Sequence, residues 1–131
     1  MKKHAVLVIV AACFFVLDRF LKVAALFKGT AIHNYNAAFS LSFGFDIAWL
    51  SAVVLLGAFA WLYYSLQKKD WLAASALIVL MLGASANFYD RLAYGFVVDY
   101  IEIPNLTVFN LADVLVVSGA ILLALHELKK K

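Results

Sequence analysis

The chain has 131 residues, of which 66% are hydrophobic and 15% are charged, and its mean hydropathy is +0.95. This balance excludes an ordinary soluble globular domain and indicates a protein that lies in a lipid bilayer. The net charge of +3 does not indicate a nucleic-acid-binding protein, because the lysines and arginines are not interleaved with aromatic residues on a polar face.

Four apolar stretches each approach the roughly 20 residues that a helix needs to cross a bilayer. They cover residues 5–27, 46–66, 71–92 and 110–128. These lengths predict an all-α membrane protein with four transmembrane helices, organised as one integral membrane domain over residues 1–131. A small extended or β element is expected in the first outer loop, at residues 38–45, where the sequence is aromatic and contains glycine.

Lysines mark one side of the predicted membrane protein. They occur at residues 2 and 3, at 68 and 69 between the second and third stretches, and at 129–131. Because an even number of spans brings these segments to the same side, the positive-inside rule predicts cytoplasmic termini. The loops at residues 28–45 and 93–109 are then expected to face outward. A cleavable signal peptide fits less well, because the first apolar run continues past Cys13 for a full span.

Polar and ionisable side chains lie in one layer of the predicted bundle, near the outer ends of the helices. Each such group is expensive inside a bilayer, so it needs a partner, a watery cavity or a place near the interface. Asp18 and Lys22 are four residues apart and can pair along the first helix. The layer consists of Asp18, Arg19, Lys22, Asn87, Asp90, Arg91, Asp99, Asn110 and Asp113.

Three carboxylates in this layer, Asp90, Asp99 and Asp113, can be near neighbours, because a short loop joins the third and fourth helices. Two carboxylates in a partly dry site cannot both ionise readily and share a proton. One then acts as a base and the other as an acid, which is the chemistry of an aspartic protease. None of the three histidines lies in the cluster, so a transition-metal site is not favoured and no cofactor is expected.

Several of these residues also have plainer structural explanations. Asp90 and Arg91 can form an ion pair at a helix end, and Asn110 can cap the fourth helix. Asp18, Arg19 and Lys22 can reach toward lipid headgroups. Asp99 has no such local explanation, because it lies in an apolar, strand-like stretch of the loop.

Two motifs in the chain carry a resemblance to a known family. The segment from Gly83 to Tyr100, with Asn87, Asp90-Arg91 and Asp99, is similar to the central signature of bacterial lipoprotein signal peptidases, and residues 109–113 resemble their second signature. The spacing of Asp18 and Lys22 in the first helix, and the segment 34–40, give weaker matches. Asn36 stands where the family usually has glycine, and the loop between Asp99 and Asp113 is short.

The resemblance implies an intramembrane aspartyl endopeptidase of the bacterial inner membrane, with its site near the extracytoplasmic face. Such an enzyme removes the signal peptide of prolipoproteins before their diacylglyceryl-modified cysteine. The resemblance makes Asp99 and Asp113 the catalytic pair, with the neighbouring residues holding substrate or supporting the site. Those neighbours are Asn34, Asn87, Asp90, Arg91, Asn110, Asp18 and Lys22.

The expected partners are prolipoprotein substrates and membrane lipids, and the chain is expected to be a monomer that binds no nucleic acid. One alternative function is that of an inactive family member that binds lipidated proteins. A second alternative is a small proton-coupled carrier that uses the same acidic cluster. A carrier needs polar residues that continue to the cytoplasmic side, and the inner halves of the four stretches are nearly without them.

Overall fold

The computed structural model describes residues 2–35 and 47–130. Within them the chain forms four helices and four three-residue strands. In chain order these are α1 (Lys2–Lys28), β1 (Ile32–Asn34), α2 (Ile47–Gln67), α3 (Trp71–Tyr94), β2 (Val97–Asp99), β3 (Ile101–Ile103), β4 (Thr107–Phe109) and α4 (Leu111–Leu128). The prediction of a mainly helical protein is confirmed, with helices close to the predicted bounds. The extended element predicted at residues 38–45 lies outside the described residues.

Three helices in the described part of the chain are long and apolar enough to cross a membrane. These segments are Trp49–Gln67, Trp71–Tyr94 and Leu111–Leu128. Many of their large apolar side chains are exposed, among them Leu56 at 70% and Ile121 at 53%. Such faces are stable in contact with lipid tails, which are as apolar as the side chains themselves. The helix α1 is not among the three, and it carries Asp18, Arg19 and Lys22.

Helices α3 and α4 pack closely because a glycine lies at their contact. A Cβ atom at Gly119 would lie 2.6 Å from the backbone nitrogen of Leu80 and 2.8 Å from the carbonyl oxygen of Ala76. Small residues at such contacts let two helix backbones approach each other. This close backbone contact fixes the position of α4 along the axis of α3. The site residues of the two helices therefore lie opposite one another.

The ends of α3 are set by local sequence signals. Asp70 is its N-cap, and the Asp70 carboxylate accepts a hydrogen bond from the backbone N–H of Ala73 at 3.1 Å. Gly95 follows the last turn with a φ of 78°, a left-handed conformation that favours glycine. The turn at Gly95 directs the chain into β2.

Four short strands lie between the helix ends and form two antiparallel pairs. In the first pair Ile32 of β1 faces Asp99 of β2, and Asn34 faces Val97. In the second pair β3 and β4 form a hairpin that returns the chain to the start of α4. The two pairs therefore bring Asn34, Asp99 and the first turn of α4 to one end of the bundle.

Candidate active site

Asp99 is the last residue of β2 and is fully buried. Its Oδ2 accepts a hydrogen bond from Asn34 Nδ2 at 2.9 Å, and its Oδ1 accepts one from Asn110 Nδ2 at 2.6 Å. Burial raises the pKa of Asp99 above its ordinary value, although the hydrogen bonds from Asn34 and Asn110 oppose this effect. The protonated form of Asp99 is therefore favoured more than in a solvated aspartate.

Asp113 lies in the first turn of α4, where it forms a capping box with Asn110. The side-chain oxygen of Asn110 accepts from the Asp113 N–H at 3.0 Å, and Asp113 Oδ2 accepts from the Asn110 N–H at 3.2 Å. The second oxygen, Asp113 Oδ1, accepts from Asn87 Nδ2 at 2.7 Å. Asp113 is thus held from both its own helix and α3.

Asn110 connects the two carboxylates. Its side-chain amide donates to Asp99, and its backbone N–H donates to Asp113. Asn110 is fully buried, and the same amide lies 3.2 Å from Asn87 Oδ1. The plainer explanation of Asn110 as a helix cap is confirmed by this geometry. The same residue also joins Asp99 to Asp113.

A group of four charges, which we call the site cluster, lies against these residues and consists of Asp18, Arg19, Lys22 and Asp90. Lys22 Nζ lies 2.7 Å from Asp90 Oδ2 and 3.2 Å from Asp18 Oδ2. Arg19 lies 2.5 Å from the other oxygen of Asp90. Asp18, Lys22 and Asp90 have no exposed side-chain surface. Lys22 therefore does not extend to lipid headgroups, and two cations balance two anions inside the protein.

Lys22 also sets the orientation of Asn87. Its ammonium group donates to Asn87 Oδ1 at 2.8 Å, and Asn110 donates to the same oxygen. An amide oxygen accepts hydrogen bonds and an amide nitrogen donates them, so these two donors turn the Asn87 nitrogen toward Asp113. Lys22 of the site cluster thereby acts on the carboxylate pair through Asn87.

A cavity of about 350 Å³ opens beside the pair. Asn34, Asn87, Arg91 and Asp113 line its polar end, and strand β4 and α4 supply most of its apolar wall. Arg91 also donates to the carbonyl oxygen of Asn87, at 3.4 Å. All nine residues that the sequence placed in or around the site are therefore joined by contacts at one end of the bundle.

Two residues near the site were not assigned to it from the sequence. Arg19 was expected to reach the membrane surface, but it pairs with Asp90, and this pairing depends on how α1 packs against α3. The hydroxyl of Tyr100 donates to Asp18 Oδ1 at 2.8 Å and accepts from the Leu111 N–H at 3.1 Å. The charge of Arg19 inside an apolar stretch is a sequence signal that could have assigned it to the site. The contact of the Tyr100 hydroxyl with Asp18 has no such signal, because it depends on the fold.

Among the described residues, one group of His, Cys, Asp or Glu side chains has ligand atoms close enough together to hold a metal ion. It consists of Asp70, His126 and Glu127, beside the start of α3 and so at the opposite end of that helix from Asp90. Lys130 Nζ lies 2.6 Å from a carboxylate oxygen of both Asp70 and Glu127, so an ammonium group already fills this position.

Known proteins resemble this chain in both sequence and fold. The model of one family, Signal peptidase (SPase) II, matches residues 7–129. A lipoprotein signal peptidase of Pseudoalteromonas translucida is 35% identical over 107 residues, which are 75% of this chain and 64% of that protein. One of Teredinibacter turnerae is 34% identical over 128 residues, which are 91% of this chain and 76% of that protein. The match to the first thus spans less than two thirds of its length.

A solved structure has the same fold. It is a bacterial membrane enzyme determined by the in meso method at 2.3 Å resolution, and it superposes with a TM-score of 0.77. The match covers 95% of this chain and 88% of that one, at 22% sequence identity. The overall fold of this chain is therefore similar to that of a known membrane enzyme.

Proposed function

Because the chain belongs to the signal peptidase II family, we propose that it is an aspartic endopeptidase of the bacterial inner membrane that removes signal peptides from prolipoproteins. The cut precedes the diacylglyceryl-modified cysteine of the substrate. The names of the family and of its members support this activity. Neither the carrier nor the inactive binder gains support from them.

The contacts of Asn110 are the observation that carries the proposal. One buried asparagine donates to Asp99 through its side chain and to Asp113 through its backbone, so the two carboxylates are neighbours. A carboxylate oxygen has two lone pairs and so can accept a second hydrogen bond besides the one from the protein. Asp113 lines the cavity, so a water molecule there can reach the pair through Asp113. Such a pair can hold one proton between its members and bind the attacking water.

The reaction then needs these two groups and no metal. The ionised carboxylate takes a proton from water as the water oxygen attacks the scissile carbonyl carbon, and the protonated carboxyl donates to the carbonyl oxygen. Collapse of the tetrahedral intermediate breaks the C–N bond as the leaving nitrogen accepts the proton that the first carboxylate took from water. A hydroxyl of the intermediate returns its proton to the second carboxylate, which restores the pair. The products are a signal peptide with a free carboxylate and a lipoprotein whose modified cysteine has a free amino group.

The lining of the cavity fits an apolar substrate. From Asp113 its wall follows α4 through Val114, Val117 and Ser118, and Val97 of β2 faces the same space. An extended segment of a signal peptide can lie along this wall while Arg91 and Asn34 meet its backbone at the polar end. The lipid tails and the signal helix of the substrate then remain in the bilayer.

The topology that fits this activity has α1 as the fourth membrane-crossing helix, in a single monomeric domain. The site cluster supports this, because Asp18, Arg19 and Lys22, the charged residues in the interior of α1, are paired within the protein. We place both termini in the cytoplasm and the aspartate pair near the outer face.

This topology is tested in a Cys13→Ser background that carries either Lys69→Cys or Leu106→Cys. Each single cysteine is labelled in whole cells with a membrane-impermeant thiol reagent. Labelling at 106 and not at 69 is expected, and the reverse pattern inverts the topology.

The activity is tested by cleavage of a diacylglyceryl-modified prolipoprotein with the purified chain in lipid. Asp99→Asn and Asp113→Asn each keep the side-chain size and remove a titratable group, so we expect losses of about 10²–10⁴-fold, typical of a missing acid or base. Asp70→Asn is the matched control, since it makes the same change at the other end of α3. A parent chain that leaves the lipidated substrate uncut contradicts the proposed activity, and normal cleavage by either site variant contradicts the pair.

A further inference from the structure

Tyr100 follows Asp99 directly in the chain and is held at both of its ends. Its backbone N–H donates to the carbonyl oxygen of Phe109 at 3.3 Å. Its hydroxyl donates to Asp18 Oδ1 at 2.8 Å and accepts from the Leu111 N–H at 3.1 Å. One side chain therefore links the segment that carries Asp99 to α1 and to the first residue of α4.

The first turn of α4 needs partners for its N–H groups, because no carbonyl oxygen precedes them within the helix. Three side chains supply these partners. The Leu111 N–H donates to the Tyr100 hydroxyl, the Ala112 N–H to Asp18 Oδ1 at 3.1 Å, and the Asp113 N–H to the Asn110 side chain. The Tyr100 hydroxyl and Asp18 are bonded to each other, so two of the three partners form one unit.

We propose that the Tyr100 hydroxyl is a positioning group that sets where Asp113 lies relative to Asp99; this inference rests on the proposed function. The aromatic ring is rigid, so its length fixes the distance between the end of β2 and the first residue of α4. Asp113 is two residues farther along the same helical turn. Removal of the hydroxyl leaves the Leu111 N–H without its acceptor and Asp18 without one of its donors. The turn that carries Asp113 can then shift.

The state of the hydroxyl suits this role. Burial raises the pKa of Tyr100, and the neighbouring carboxylates add to the effect, so the group stays protonated at any pH at which a peptidase of this kind works. A protonated hydroxyl donates one hydrogen bond and accepts others, which matches the two contacts observed.

The test is Tyr100→Phe, which removes only the hydroxyl, assayed with the diacylglyceryl-modified prolipoprotein beside the parent chain. Tyr63→Phe is the matched control, because it makes the same change at an exposed position of α2. Rates are expressed per molecule in the folded peak of a size-exclusion run. Since small misplacements of reacting groups cost about 10–10² in rate, we expect kcat of Tyr100→Phe to fall at least tenfold while KM stays close to that of the parent.

A second readout separates positioning from a purely structural role. If Asp113 moves away from Asp99, the two carboxylates interact less, and the pH range over which exactly one proton is shared becomes narrower. We therefore expect a narrower pH profile of kcat for Tyr100→Phe than for the parent or Tyr63→Phe. An unchanged profile with unchanged kcat per folded molecule overturns the inference, even if the yield of folded protein falls.

The remaining outcomes also decide the question. If Tyr100→Phe gives no folded protein at all, the hydroxyl is structural and the positioning role is wrong. If KM alone rises, the hydroxyl serves substrate binding, and the inference is again overturned. A parent chain without activity overturns the proposed function and this inference with it, whereas an active parent with an equally active Tyr100→Phe overturns only the inference.

Discussion

Two groups of charged side chains at opposite ends of α3 use similar residues in different surroundings. The site cluster of Asp18, Arg19, Lys22 and Asp90 is almost wholly buried. The second group, which we call the tail cluster, consists of Asp70, His126, Glu127 and Lys130, and the Lys130 side chain is 45% exposed. If one charge of the site cluster is removed, water cannot take its place beside the remaining charges, whereas in the tail cluster water can. Loss of a lysine–aspartate pair is therefore expected to destabilise the protein more in the site cluster than in the tail cluster.

The largest effect is expected from Lys22→Met, which keeps an unbranched side chain and removes its charge. Asp18 and Asp90 then lose a cation inside the protein, and the loss of one partner from a buried ion pair costs about 3–5 kcal/mol. We expect little folded protein, measured as the yield from detergent extraction and as Tm. Lys130→Met, the matched change in the tail cluster, is expected to leave both nearly unchanged. Equal Tm values for the two variants would show that burial does not distinguish the clusters.

The caps of α3 and α4 give the next comparison. Asp70→Ala and Asn110→Ala each remove a side chain that accepts from a helix N–H, at a cost of about 0.5–2 kcal/mol each. Asn110 also bonds to Asp99, so we expect its variant alone to lose peptidase activity, on the order of 100-fold. The measurement is kcat/KM at a temperature where both variants are folded. Similar activities in the two variants argue against a bridging role for Asn110.

A third comparison uses pH and activity. Burial raises the pKa of Asp99, so its proton is retained to higher pH than in a solvated aspartate. Catalysis needs one proton on the pair, and activity is therefore expected to be lost on the alkaline side, as that proton dissociates. The check is a pH profile of kcat for the parent and for Asp70→Asn. An alkaline limb that differs between the two would point to a group in the tail cluster.

The smallest effect concerns acid stability of the tail cluster. Burial of Asp70 acts to raise its pKa, but hydrogen bonds from Lys130 and His126 outweigh this effect and lower the pKa of Asp70 from 3.8 to about 2. A lowered pKa stabilises the fold fully above about pH 4, and this contribution is lost as the pH falls through 2. The difference in Tm between the parent and Asp70→Asn should therefore shrink between pH 5 and pH 2. A difference that is constant with pH would indicate that Asp70 acts only as a neutral cap.

Much of the site could be predicted from the sequence, because charge in an apolar stretch is a strong signal. The cost of burying Asp18, Lys22 and Asp90 pointed to partners for them, and the spacing of Asp18 and Lys22 identified one of these pairs. The pairing of Lys22 with Asp90 could not be read in this way, since it joins two helices whose packing is set by contacts elsewhere. Sequence spacing reports neighbours on one helix and is silent about neighbours across helices.

The strand pairs show the same limit. An extended conformation around Asp99 could be anticipated from its apolar neighbours, but its partner strand lies at Ile32–Asn34, far away in the chain. Each of these strands has only three residues, too short for an alternating pattern to reveal which faces are buried. The contact between Asn34 and Asp99 follows from this pairing, and only the fold reveals it.

The distribution of the site along the chain has a consequence for biogenesis. Asp18 and Lys22 are synthesised early, whereas Asp90, Asp99 and Asp113 lie in the last third of the chain. A nascent polypeptide that has reached only the end of α2 holds one internal ion pair in α1 and no aspartate pair. If the aspartate pair cuts peptides as proposed, this chemistry cannot arise until the final helix is in place, so a chain truncated before α4 lacks it.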